Sequence, residues 1–76
     1  MENWIVLYRL EKLLNNLKVF SSFNNHAQLC ASFINDSDEI DAVRSFVQRH
    51  NDNLCIDESK SRDITRCTFF FRTTAA

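Results

Sequence analysis

Three stretches of this 76-residue chain predict an α+β domain, with N-terminal helices and a C-terminal β-hairpin. Val6, Leu10, Leu13, Leu17 and Phe20 recur at steps of four and three, the period of a helix with one buried stripe. Ile40, Val43, Phe46, Val47 and His50 repeat that period behind a capping residue. Ile64 to Thr73 is rich in β-formers and follows a second short apolar run, Leu54-Cys55-Ile56.

The first helix is expected over 2–20, with Leu7 and Leu14 widening its stripe. Trp4, Ile5 and Tyr8 lie partly off that stripe, so apolar surface near the N-terminus is expected to remain exposed. Ser21 to Asn25 is a break. Residues 26–34 read two ways. As a helix, Leu29 and Phe33 share one face; as a strand, Leu29, Ala31 and Phe33 alternate with Gln28, Cys30 and Ser32. Ala, Gln and Leu favour helix, and the helical reading is preferred.

The helix over 38–50 has Ser37 as a good N-cap, or alternatively Asp36 with Glu39 three residues on, acidic residues at its positive end, and Arg49 and His50 at its negative end. The hairpin spans 54–73. Leu54 and Ile56 should face the same side as Cys67, Phe69 and Phe71, which needs an even-numbered loop and sets Cys55 and Cys67 on opposite faces. Phe70 then points the other way, alongside Arg66, Thr68 and Arg72. A lone hairpin is marginal, so residues 19–23 or 28–34 are expected to add a third strand.

The chain has no Gly and no Pro, where average usage would give about nine. Glycine-rich phosphate loops are therefore excluded. Left-handed turn positions are expected to fall to Asn15, Asn16, Asn24, Asn25, Asn35, Asn51 or Asn53. Charge is segregated: +1 over residues 1–35, −5 over 36–58 and +3 over 59–76, summing to −1. Three cysteines without a CxxC pair, no signal-peptide pattern and no membrane-length apolar run lead to an expected small, cytoplasmic, single-domain protein over 1–76.

With 26–34 helical, the order of elements from Asn25 to Arg72 resembles the winged helix-turn-helix superfamily. Leu29 and Cys30 occupy the inner positions of its second helix, Ile40 and Val43 those of its recognition helix, and Lys60 and Arg62 the tip of its wing. The resemblance implies DNA binding, with Arg44, Arg49, Lys60 and Arg62 on phosphates; Arg66 and Arg72, beside the aromatic Phe69-Phe70-Phe71 run, are further candidate nucleic-acid contacts. Two departures weigh against that function. The turn lacks the family's usual Gly, and the recognition helix begins Asp36-Ser37-Asp38-Glu39, whose carboxylates would repel phosphate. With 28–34 as a strand, the chain becomes an α-β-α-β-β two-layer sandwich, with a βαβ crossover from 28–34 to 54–56.

His26 and Cys30, and His50 and Cys55, are loose pairs rather than the doubled ligand spacing of a zinc site, so no metal or other cofactor is expected. Nothing marks an oxyanion hole or a group to orient a Cys–His pair, so no enzymatic activity is expected. The remaining reading is a small regulatory protein, an inhibitor or adaptor of the size of viral or mobile-element accessory proteins. Trp4, Tyr8, Asp38, Glu39, Asp41 and Phe70 are its candidate protein-binding residues, and a homodimer through the first helix would bury the exposed aromatics.

Overall fold

A computed structural model describes residues 2–73. In chain order the elements are α1 (Asn3–Asn16), β1 (Ser21–Phe23), β2 (Leu29–Ile34), α2 (Asp38–Arg49), β3 (Leu54–Lys60) and β4 (Ile64–Phe71). The four strands form one antiparallel sheet in the order β1-β2-β4-β3. Both helices pack on one face of it, so the domain is α+β in two layers.

Residues 29–34 are a strand, which corrects the preferred helical reading of 26–34. Helix propensity loses here to the alternation Leu29, Ala31, Phe33, which buries three side chains against the helices while Cys30, Ser32 and Ile34 face away. The segment that carried the winged-helix resemblance is thus extended. The sheet also uses both candidate third strands, 21–23 and 29–34. β2 and β3 are each antiparallel to β4 and so parallel to one another. α2 carries the chain across between them, and β4 inserts into the crossover as a central strand.

The first helix is shorter than 2–20. It closes at Leu17 in a Schellman arrangement, with Val19 N–H donating to the Leu14 carbonyl and Lys18 N–H to that of Asn15. Lys18 takes the left-handed position, φ 62°, that glycine usually fills. Phe20, expected in the helical stripe, therefore leaves the helix and is 84% exposed. The other left-handed residues are Ala27 (φ 59°) and Asp36 (φ 60°). None of the seven asparagines expected at such positions holds one. Asn24 and Asn35 act instead through their side chains. Asn24 Oδ1 accepts from the backbone N–H of His26 and Gln28, which closes the β1–β2 turn. Asn35 Nδ2 donates to the Ser61 and Arg62 carbonyls, and its Oδ1 accepts from the buried Thr65 hydroxyl at 2.6 Å.

The core is one cluster. Val6, Leu10 and Leu14 come from α1, and Ile40, Val43, Phe46 and Val47 from α2; Leu29, Ala31, Phe33, Leu54, Cys67 and Phe69 come from the sheet. Ser37 caps α2 as expected, accepting from Ile40 N–H. The hairpin parity also holds. Leu54 pairs with Phe71, Ile56 with Phe69 and Lys60 with Thr65, which leaves four residues between the last pair and sets Cys55 opposite Phe70. All three cysteines are free thiols.

Candidate functional site

The helices cover one face of the sheet and leave the other open. Alternation places Ser22, Cys30, Ser32, Ile34, Cys55, Asp57, Ser59, Arg66, Thr68 and Phe70 on the open face, with Phe20 continuing the β1 row. Ile34 and Ile64 pair across β2 and β4, and Ile34 is 69% exposed. Phe20, Ser22, Cys30, Ser32 and Arg66 line an open hollow of about 380 Å³. Asp57 and Arg66 are the two formal charges on the strands of this face, and they cancel; its other side chains mix hydroxyls (Ser22, Ser32, Ser59, Thr68) with apolar groups (Cys30, Ile34, Cys55, Phe70).

The sheet's two edges differ in chemistry. Residues 19–35, which comprise β1, β2 and their turn, contain no Asp, Glu, Lys or Arg. Phe20 and Phe23 flank β1 on opposite faces, and Phe23 is 49% exposed. The other edge, β3, carries Asp57, Glu58 and Lys60, the kind of charge that discourages strands from pairing with foreign strands.

The candidate protein-binding residues do not converge. Trp4 and Tyr8 are exposed on α1, at 68% and 56%, with Lys12 Nζ 5.7 Å from the Tyr8 ring centre. Asp38, Glu39 and Asp41 occupy the first turn of α2, where they face its positive end. Phe70 is half-buried on the open face opposite Cys55. The candidate cations are also dispersed, and two are engaged. Arg44 on α2 grips Glu58 bidentately, Nε–Oε2 at 2.9 Å and Nη2–Oε1 at 2.7 Å, with Asp41 at 3.6 Å. Arg72 donates to the Asn51 carbonyl at 3.1 Å. Arg49 lies 5.7 Å from the Phe46 ring centre. Arg62 is in the β3–β4 turn and Lys60 at the end of β3, while Arg66 points to the open face, away from Arg44.

The Arg44 guanidinium holds the Glu58 carboxyl below its ordinary range, chiefly through their hydrogen bonds, and its own pKa is raised in return. Burial pushes the Cys67 thiol up to about 11, which keeps it protonated and inert as a core residue. Among the described residues no three His, Cys, Asp or Glu side chains are grouped so as to hold a metal ion, and no helix is long and apolar enough to cross a membrane. Phe46 and His50 stack at 4.7 Å, so His50 packs against the core rim.

The features that sequence reasoning missed are Phe20 and Phe23 as exposed aromatics and β1 as an edge. The signal that could have found them is the charge-free run 19–35, whose length and position match one hairpin of the sheet. Compared with known proteins, the chain matches no family model, no curated protein and no solved structure.

Proposed function

We propose that this is a non-enzymatic interaction domain that binds protein through the charge-free β1 edge of its sheet and the hollow of the open face beside it, which Arg66 lines. The observation that carries this reading is the exposure of Phe20 and Phe23 on a strand edge without a formal charge. Isolated exposed hydrophobics are ordinary, but aromatics grouped beside unpaired backbone donors and acceptors suit protein recognition. A regulatory role, as inhibitor or adaptor, is the form this reading takes for a domain of this size.

The test compares two immobilised baits, the wild type and a Phe20→Asp, Phe23→Asp variant whose folding is matched by circular dichroism. A protein retained by the first and lost by the second, whether from the source cell or an added untagged copy of this chain, supports the reading. Identical retention by the two baits overturns it. Binding of single-stranded or duplex oligonucleotides that falls steeply with salt would replace it with a nucleic-acid function resting on Arg66, Phe20 and Phe70.

A further inference from the structure

The β1 edge has a defined hydrogen-bonding pattern. Asn24 N–H donates to the Gln28 carbonyl at 2.9 Å, which makes that residue pair a hydrogen-bonded one. In an antiparallel ladder such pairs alternate with non-bonded ones. In this register Ser22 and Cys30 are therefore the next bonded pair, and Ser21 and Phe23 belong to non-bonded pairs. The N–H and C=O groups of Ser21 and Phe23 point away from β2, off the edge of the sheet. They amount to two donors and two acceptors, evenly placed about Ser22.

This pattern is complementary to itself. We propose that the partner on this edge is a second copy of the chain, whose β1 pairs antiparallel with the first about a two-fold axis at Ser22, joining two four-stranded sheets into one of eight strands. The proposal rests on the reading of the charge-free hairpin as a protein-binding edge. In this register Ser21 exchanges both hydrogen bonds with Phe23 of the second copy, and Phe23 does the same with its Ser21. All four outward groups on each chain are satisfied. The two Phe23 rings lie diagonally across the axis on the helix side, within aromatic reach, and Phe20 lies opposite Asn24 of the second copy on the open face. No like charges meet, because residues 19–35 carry none.

At the other edge, the same operation about the central residue brings like charges together. Asp57 is the central residue of β3, so a two-fold pairing centred there would set it against its own copy, with Glu58 beside it. A second copy at β1 therefore fits both the charge pattern and the backbone pattern, which a partner strand of opposite charge would not need. Three paired residues and two aromatics per chain make a small interface, below the roughly 1,200 Å² of standard complexes, so the dimer is expected to be weak and to fill at about 0.1 mM and above.

Ser22 supplies the test, because it would face itself while remaining exposed in the monomer. Sedimentation equilibrium of the wild type from about 10 µM to 1 mM should show a monomer–dimer equilibrium. Ser22→Glu alone and Ser22→Lys alone should each shift it at least tenfold towards monomer. An equimolar mixture of the two should restore dimer, since unlike charges then oppose across the axis. A wild type that stays monomeric at 1 mM overturns the proposal. So does a dimer unaffected by either Ser22 variant, particularly one lost in Trp4→Ala, Tyr8→Ala, which would place the contact on α1. A monomeric wild type whose bait still loses a foreign protein on Phe20→Asp, Phe23→Asp substitution would remove the self-pairing and leave the protein-binding reading intact.

Discussion

The two hairpins of the sheet are held in different ways. β3–β4 is knit into the domain from several sides. Arg44 grips Glu58 across from α2, Asn35 ties the 61–63 turn back to β2, and the backbone N–H of Arg72 donates to Asn53 at 2.7 Å. In β1–β2 the outer strand pairs with β2 alone, and β1 contributes three residues, none of them buried. Charge follows the same division. The anchored hairpin carries the charges, and the loosely held one has none while presenting its aromatics to solvent. Stability is thus drawn mainly from one end of the sheet, and on the proposed reading the other end serves recognition, as an edge that contributes little to the core is free to be shaped for contact.

The largest expected effect separates the two hairpins directly. Phe69 is 1% exposed in the central strand, and Phe69→Ala should cost about 3–5 kcal/mol in urea unfolding, enough to unfold a domain of this size. Phe23→Ala, on the β1 edge, should cost under about 1 kcal/mol; an equal cost for the two would refute the division. Next is Asn35→Ala, which unties the anchored turn and leaves the buried Thr65 hydroxyl without its acceptor. A loss of about 1–3 kcal/mol is expected, with faster amide exchange at Ser61–Ile64.

A smaller change of opposite sign is expected in the loose hairpin. Ala27 is exposed and left-handed, so Ala27→Gly should relieve steric strain and stabilise the domain by about 0.5–1 kcal/mol, read as a rise in unfolding midpoint. A fall would mean that the turn is not strained. The smallest effect is the ion pair. Glu58 is held below its ordinary carboxylate range when folded, so its contribution is present above the unfolded pKa and is lost as pH falls through the folded one. The pair is partly solvated, with 41% and 29% of the two side chains exposed, so the loss between pH 7 and 3 should be about 0.5 kcal/mol or less. Glu58→Gln should remove that part of the pH dependence, measured by unfolding midpoints at the two pH values.

Much of the anchored half could be read from the residues. The α2 stripe, the Ser37 cap and the facing parity of the hairpin follow from local period and alternation, because each is fixed by neighbours close in sequence, whereas the continuation of β3 through Glu58 to Lys60, residues that read as loop, does not. The loose half was harder. Leu29 to Ile34 has no strong local preference, and its state is decided by pairing with β4, more than thirty residues away. Phe20 continues the helical spacing of α1 numerically, yet the turn at Lys18 takes it out of the helix, and nothing in the side chain of a lysine announces a left-handed turn. The outward aim of Phe70 was legible from alternation. The engagement of Arg44 by Glu58 was not, since it depends on where α2 lies over β3.

The insertion of β4 between β2 and β3 has a consequence for how the chain is made. The strand that fills the middle of the sheet leaves the ribosome after every other element described. Until it arrives, β3 has no strand to pair with and β2 has β1 alone, and the hydrophobic face of the sheet has no centre. The earlier elements can form local turns but have no sheet to complete, so native structure should come in a single late step rather than grow along the nascent chain.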